Sequence, residues 1–504
     1  MAVKSNESTE VKVSIASREE VTGASRAAES VEEAPSSISI IGSRELEAMQ
    51  YPTLAEALRG TRGLYLTDDR SYNFVGVRGF SRTSDYGNKI LILQDGQPLN
   101  DNLLGQSFAG FDGRVDLGDV ERIEVIRGPG SVMYGTGAFF GVVNLITRHR
   151  DTPNRVETSV SAVEDGVIRT RAMGNVRLGK EGALWTSVAV ARGGGRDFYF
   201  PSYADDNGGL ARGVDGVRGG TLNGRFTYKA LTVQWFFNSR KKQLPTAVSD
   251  TLFGDRRLYY LDTRGLVEAR FEPKLSSAVQ LASRAHANLY NFTAGLPYDV
   301  ADGGLDRQEY RGRWVGVEQR VLLTPSENVR VIAGGEAQRH FSASMIGKDE
   351  SETYMDVNNP YNVFSGYLNS DIGFARWIRA SAGARFDHFS TFGNALSPRG
   401  AVILRPYESG LLKVMGGSAF RAPSVYEMYY SDAAQKASPD LGPERAVSGE
   451  IEFTHRFDPI TSLTVGSYLN HVTGLTVGRG AGTEEDPFYL TNSDVPVRAF
   501  GGEV

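Results

Sequence analysis

Residues Val120–Arg150, VERIEVIRGPGSVMYGTGAFFGVVNLITRHR, hold two apolar, strand-like runs with five glycines and one proline among them. Glycine adopts backbone conformations that other residues avoid, and it lets a second segment approach closely. A phosphate-binding loop is a poor interpretation, because no Lys-Ser/Thr pair follows the glycines and the third glycine of a dinucleotide fingerprint is missing. The stretch therefore predicts strands joined by tight turns in a closely packed domain.

The composition of the whole chain excludes several classes of protein. There are 504 residues, no cysteines and a formal net charge of −5, so neither a disulfide framework nor a thiolate metal site is available. The basic run SRKKQ at 239–243 is short and isolated, which argues against a nucleic-acid partner. The six histidines show no close pair at metal-ligand spacing, so we expect no bound metal and no cofactor.

The chain divides into two zones of different pattern. Up to about residue 150, helical and strand patterns mix; SRELEAMQYPTLAEALRG at 43–60 predicts two short helices, the first capped by Ser43. Beyond it, segments of about ten residues alternate weakly between apolar and polar positions. The connectors alternate in length: 177–182 is brief, whereas 193–216 is long and polar.

This alternation of loop lengths predicts a membrane barrel. No run approaches the ~18 apolar residues that a membrane-spanning helix needs, so a bilayer would be crossed by strands. Short turns at one end and long loops at the other are typical of outer-membrane barrels, and roughly sixteen strands fit into the second zone. A β-propeller or solenoid is the alternative, but no blade-length repeat is present.

Several motifs in order carry a resemblance to a known family. They are VGVRGF at 75–80, ILILQDGQPLND at 90–101, the opening stretch, SAFRAPSVYEMYY at 418–430 and LGPERAVSGEIEF at 441–453. Together they resemble TonB-dependent outer-membrane receptors over nearly the whole chain. The resemblance implies an α+β plug domain inside a large antiparallel transmembrane β-barrel, 22-stranded in the family, with residues 1–34 as a periplasmic arm, 35–150 as the plug and 151–504 as a partial barrel.

The resemblance also assigns residues to a latch between plug and barrel. Arg78 and Arg127, with Glu124 between them in sequence, occupy positions that pair with barrel glutamates in this family. Ordinary surface arginines are the alternative. The barrel partners stay open at this point, and the candidates are Glu427, Glu450 and Glu452.

The N-terminal arm contains a candidate TonB box. EVKVSIAS at 10–17 alternates apolar and polar residues, as expected of a peptide that adds a strand to a partner sheet. The predicted box consists of Glu10, Val11, Lys12, Val13, Ser14 and Ile15. Its implied partner is TonB with its inner-membrane energising complex; an inert linker is the alternative.

The family places its ligand between the plug apices and the external loops. The candidate ligand-binding residues here are Tyr72, Arg82, Asp85, Tyr86, Asn102, Gln106, Phe108 and Tyr429. Such side chains suit an aromatic or anionic chelate through stacking and charge, although a plain loop role is an alternative for each. Haem is disfavoured, because no histidine lies between FRAP at 420–423 and SPDL at 438–441.

The functional expectation is TonB-energised transport of a scarce chelate, with a ferric siderophore as the leading candidate, across the bacterial outer membrane. The alternatives are a non-transporting binding or signalling receptor of the outer surface, and transport of cobalamin, haem or an oligosaccharide. No motif unites a nucleophile, a base and an orienting group, so an enzyme is not expected. The chain has no signal peptide and stops at RAFGGEV, which predicts an incomplete barrel lacking about six strands.

Overall fold

The computed structural model describes residues 20–23, 26, 29–81, 85–148, 154–299, 304–458 and 461–504, with the side chain of residue 164 left out. The predicted TonB box at 10–15 and the candidate Arg82 lie outside the described residues.

The first zone folds as a small mixed domain around one sheet. Its central sheet has the order β3-β8-β9-β6-β7, in which β6 and β9 are parallel and the other neighbours antiparallel. The elements are β1 (Glu20–Val21), β2 (Glu29–Ser30), β3 (Ser37–Ile41), α1 (Ser43–Met49), α2 (Leu54–Leu58), β4 (Leu64–Asp68), β5 (Asn73–Val77), β6 (Ile90–Gln94), β7 (Gln97–Pro98), β8 (Val120–Arg127), α3 (Ser131–Tyr134) and β9 (Gly141–Thr147).

The two helices near residue 50 begin where the sequence predicts, but their caps differ. Helix α1 has Gly42 as its N-cap, with no side-chain capping bond, so the predicted cap at Ser43 is wrong. Helix α2 is capped by Thr53, whose hydroxyl accepts from the Glu56 N–H at 3.3 Å. Among the described residues, no helix is long and apolar enough to span a membrane.

The glycines of the opening stretch serve close packing. Strands β8 and β9 pair antiparallel, and the short helix α3 lies between them. Gly128, directly after β8, has a φ of +91°, and a Cβ there would collide with the Glu450 carboxylate. Gly135 ends α3 with a φ of +71°. Glycine is therefore needed at both positions, at Gly128 because another part of the chain lies against the backbone.

The second zone forms a 17-stranded antiparallel sheet that runs from β10 to β30. Strands β21 and β22 both pair with β20, so they act as one interrupted crossing, in line with the roughly sixteen strands predicted. The elements are β10 (Arg155–Val163), β11 (Val167–Leu178), β12 (Gly182–Gly193), β13 (Phe198–Tyr199), β14 (Leu210–Ala211), β15 (Val217–Tyr228), β16 (Leu231–Gln243), β17 (Tyr259–Phe271), β18 (Val279–Pro297), β19 (Leu305–Ser326), β20 (Val329–Lys348), β21 (Thr353–Asn358), β22 (Tyr361–Ala375), β23 (Ile378–Phe389), β24 (Gly393–Tyr407), β25 (Gly410–Arg421), α4 (Val425–Tyr429), β26 (Glu444–Arg456), β27 (Ser462–Thr473), β28 (Thr476–Arg479), β29 (Tyr489–Asn492) and β30 (Val497–Glu503).

The large sheet is apolar outside and polar inside. Val156 and Val160 on β10 are 80% and 74% exposed, whereas Arg169 and Arg171 on β11 are 3% and 6% exposed. A water-soluble protein shows the opposite arrangement, because exposed apolar side chains there cost free energy. The sheet is therefore the wall of a barrel whose outer face contacts lipid.

The long loops lie together at one end of the barrel. This long-loop end comprises 194–216, 244–258, 349–360, 422–443 and 474–496, together with the short turns 164–166 and 390–392, and the short-turn end comprises 179–181, 229–230, 272–278, 327–328, 376–377 and 408–409. The first domain, hereafter the plug, lies against the inner face of this wall. Its core is built from the β3–β9 sheet and the helices, with Leu54, Leu58, Ile92 and Ile123 each 3% exposed or less.

Candidate functional site

A buried cluster of opposite charges joins the plug to the barrel wall. This plug–wall cluster consists of Arg62, Arg78 and Arg127 from the plug and Glu450, Glu452 and Glu503 from β26 and β30. Arg78 lies at its centre: Nη1 is 2.8 Å from Glu450 Oε1, and Nε is 2.8 Å from Glu503 Oε1. Its guanidinium also lies 4.4 Å from the ring centre of Tyr468. One plug side chain thus bridges two strands of the wall.

Arg127 occupies a less compensated position in the same cluster. Its Nε is 3.7 Å from Glu503 Oε2, and its other nitrogens donate to the hydroxyls of Ser39 and Ser37 at 2.8 and 3.0 Å. Burial, followed by repulsion from Arg62, lowers the pKa of Arg127 to about 10. For Arg78, the attraction of its two glutamates outweighs the larger single effect of burial and raises the pKa.

Two of the acidic side chains considered from the sequence have other roles. Glu124 is 0% exposed and faces the plug interior, where it accepts from the N–H of Gly23 at 2.8 Å and from Arg122 Nη2 at 2.8 Å. It therefore joins the N-terminal segment to the plug sheet, and among the described residues its hydrogen bonds and ion pairs do not reach the wall, so its assignment to the latch is corrected. Glu427 pairs instead with Arg421 at 2.8 Å.

The sequence did not indicate two members of the cluster. Arg62 contacts Glu452, and Ser37 donates to the same carboxylate at 2.7 Å. Glu503 accepts from Arg78, although 425 positions separate the two in the chain. Arg62 was not among the candidate latch residues, and in the sequence only the outward-inward alternation of β30 distinguishes Glu503 as lumen-facing.

The segment before the plug contacts the short-turn end of the wall. Three of its acidic residues, Glu29, Glu32 and Glu33, face barrel arginines, with Arg405 Nη2 at 3.1 Å and Arg456 Nη2 at 2.8 Å from Glu32. A polar cavity of about 2230 Å³ lies beside this segment, between the plug and the wall. The plug is thus held at mid-wall and again at its entry.

At the long-loop side, aromatic rings connect the plug to the wall. This aromatic cluster comprises Tyr72 and Tyr86 of the plug, Tyr260, Phe292 and Tyr310 of the wall, and Tyr426 and Tyr430 in or beside α4. Ring centres of successive members lie 4.7–6.2 Å apart, as in stabilising aromatic pairs. Helix α4 covers the plug apex, because the Tyr426 N–H donates to the Leu103 carbonyl at 2.9 Å.

The candidate ligand-binding residues separate into two groups. Asn102, Gln106 and Phe108 are 6%, 2% and 4% exposed, and Asn102 Nδ2 donates to the Ser342 carbonyl of the wall at 3.1 Å. Asp85 accepts from the Gly87 N–H at 2.9 Å, as a turn-forming residue does. In this conformation these four side chains make structural contacts, and their role in ligand binding stays a prediction.

Three of the remaining candidates keep some exposed surface. Tyr72, Tyr86 and Tyr429 are only partly buried. Tyr72 is the most constrained, since its hydroxyl donates to Asp262 at 3.0 Å and Arg240 lies 4.9 Å from its ring centre. Tyr86 packs edge-on against Tyr426 at 5.4 Å. At its long-loop side, the plug therefore offers a ligand aromatic surface more than charged groups.

A lipid-facing barrel whose lumen contains a folded domain, held by buried ion pairs, defines a plugged membrane receptor. Comparison with known families supports this class: residues 30–142 match the TonB-dependent receptor plug domain, and residues 175–504 match the TonB-dependent receptor-like β-barrel. The chain belongs to the TonB-dependent receptor family.

Individual relatives are distant but extensive. The chain is 23% identical to the vitamin B12 transporter BtuB of Vibrio vulnificus, over 91% of this chain and 70% of that protein. It is 24% identical to the iron-regulated outer membrane virulence protein of Vibrio cholerae, over 85% of this chain and 64% of the relative. The chain thus spans about two thirds of the length of these relatives.

Solved structures share the fold at lower identity. The ferric enterobactin receptor PfeA of Pseudomonas aeruginosa superposes with a TM-score of 0.74 at 17% identity, covering 92% of this chain and 76% of that one. The siderophore receptor PirA of Acinetobacter baumannii gives 0.72 at 18%, covering 92% and 77%. This likeness establishes the architecture alone.

Proposed function

We propose that this chain imports a scarce chelate across the outer membrane, with the plug as the gate and TonB as the source of work. Residues 1–34 would be the periplasmic arm, 35–150 the gate and 151–504 the pore wall. The plug–wall cluster is the observation that carries the proposal. Moving the plug would leave the wall glutamates without partners, and losing one partner of a buried ion pair costs about 3–5 kcal/mol. Such a gate opens when external work is applied to it.

A ferric siderophore is the leading cargo. The structural neighbours PfeA and PirA are siderophore receptors by name, and the aromatic cluster offers stacking surface for a chelate. The charge of the long-loop end narrows the chemistry: 349–360 has four acidic and no basic residues, and 474–496 has four acidic residues and one arginine. A neutral or cationic chelate would be favoured there over a polyanionic one, because like charges repel.

Cobalamin is the second candidate. The vitamin B12 transporter matches 91% of this chain, and cobalamin is a large ligand with little net charge. The aromatic cluster and the acidic long loops suit such a ligand as well as they suit a neutral ferric chelate.

Uptake assays separate these possibilities. Cells that lack their own receptors would express the chain, and accumulation of radiolabelled neutral ferric hydroxamates, ferric catecholates and cyanocobalamin would be measured with and without TonB. We expect TonB-dependent accumulation of one neutral ligand. Surface binding that is equal in both strains, with no accumulation inside, would contradict transport and favour a binding or signalling receptor.

A further inference from the structure

Three cations lie side by side on the outer face of the barrel. In the pairing of β12, β15 and β16, Arg192 is opposite Arg218, and Arg218 is opposite Lys241. These three residues are the outer basic patch. Opposite residues of adjacent antiparallel strands lie about 4.5–5.5 Å apart at their Cα atoms, and like charges placed there destabilise a sheet. The arrangement is unfavourable unless something negative binds to it.

The patch lies immediately beyond the lipid-facing apolar surface. Val190, Leu222 and Phe237 share its face of the sheet, and they are 53%, 40% and 41% exposed. They precede or follow the cations by two to four residues, about 7–13 Å along a strand, on the side away from the long loops. The patch is therefore at the depth where hydrocarbon gives way to headgroups, in the leaflet on the long-loop side.

The protein itself does not neutralise the patch. Within the described side chains, none of the three cations has a carboxylate at ion-pair distance; Lys241 Nζ instead lies 3.5 Å from the ring centre of Tyr259. The neighbours of Lys241 in sequence differ sharply. Arg240 and Lys242 point inward and pair with acidic wall or loop residues. Arg240 and Lys242 thus pair with carboxylates, whereas among the described side chains the three cations of the patch do not.

We propose that the outer basic patch binds the phosphate group of a lipid headgroup in the leaflet on the long-loop side. Two arginines supply planar donor forks that match phosphate oxygens, and the ammonium of Lys241 adds a third charge. The acyl chains of the same lipid lie on the apolar surface beneath. This site is separate from the plug and from the proposed transport, so its test does not depend on the identity of the cargo.

The test compares two lipids on matched variants of the full chain. Purified protein in detergent micelles would be titrated with bisphosphorylated lipid A and with the same lipid after enzymatic dephosphorylation, and bound lipid would be counted by native mass spectrometry. The patch variant carries Arg192→Gln, Arg218→Gln and Lys241→Gln. The matched control removes the same charge at the short-turn end through Arg177→Gln, Lys180→Gln and Lys274→Gln, all three being exposed residues.

We expect the patch variant to bind the phosphorylated lipid about a hundredfold more weakly than wild type, because each surface cation contributes a similar share of the attraction. The control variant should bind the phosphorylated lipid as wild type does. The dephosphorylated lipid should bind equally to wild type, the patch variant and the control variant. A patch variant that binds the phosphorylated lipid as wild type does would overturn the proposal. So would equal binding of both lipids by wild type, since the apolar surface alone would then hold the lipid.

A second variant guards against misfolding. Arg218→Lys keeps the charge and gives up only the planar donor fork, so it should lose part of the affinity and still bind well above the triple variant, whose thermal unfolding is checked separately. If folded Arg218→Lys bound the phosphorylated lipid as weakly as the triple variant, the summed charge of the patch would not set the affinity, and the proposal would fail.

Discussion

Arg78 is the residue on which the attachment of the plug depends most. Replacing it by glutamine would leave Glu450 and Glu503 without their closest cation, so we expect a loss of about 3–5 kcal/mol in plug docking. Urea denaturation followed by limited proteolysis of the plug would measure the loss. Arg59→Gln is the matched control, because that arginine is exposed and such pairs contribute about 0–1 kcal/mol. Equal effects of the two changes would show that the cluster does not hold the plug.

Asp112 of the plug gives a prediction about pH. Burial, opposed by Arg240 and reinforced by Asp262, raises the pKa of Asp112 to about 7. Because the folded state then binds more protons than the unfolded chain, its contribution to stability is complete below about pH 4 and is lost as the pH rises through about 7. Asp112→Asn should remove this loss, so it should stabilise the protein at pH 8 more than at pH 4. Denaturation at both pH values checks this; an effect of equal size at both would contradict it, and exposed Asp205→Asn in a long loop serves as the control.

At the scale of the element, the sequence predicted what depends on local pattern. Strand periodicity and loop length gave the sixteen crossings and the two ends of the wall, since both follow from residues near one another in the chain. Only part of the latch could be predicted from the sequence. Arg78 and Arg127 belong to motifs, whereas their common partner Glu503 lies hundreds of residues away. The burial of Asn102 and Phe108 at the apex could not be predicted for the same reason, because it comes from wall and loop segments that no local pattern connects to them.

The predicted TonB box is an element that can be tested by one backbone change. Val11→Pro removes an N–H and fixes φ, so strand addition to TonB should fail. We expect chelate binding at the cell surface to be unchanged and accumulation inside to be lost. Ser5→Pro, outside the box, should leave both intact. Uptake that survives Val11→Pro would place the TonB contact elsewhere in the chain.

At the scale of the whole molecule, the exposed side chains on the outer face of the barrel contact lipid instead of water. Val188 is 48% exposed on the outer face of β12, and in a water-soluble protein an arginine there would be nearly neutral. In a bilayer the same change, Val188→Arg, should cost about 2–4 kcal/mol at mid-depth, because the charge must leave water. Unfolding in lipid vesicles would measure this, with Ser202→Arg in an exposed long loop as the control. Arg192 lies on the same strand and face, four residues nearer the long loops, and it is already charged. A large cost at position 188 beside a native arginine at position 192 would therefore locate the boundary between hydrocarbon and headgroups. If Val188→Arg and Ser202→Arg had the same small effect, the apolar outer band would not lie in lipid, and both the transport proposal and the lipid site would lose their common basis.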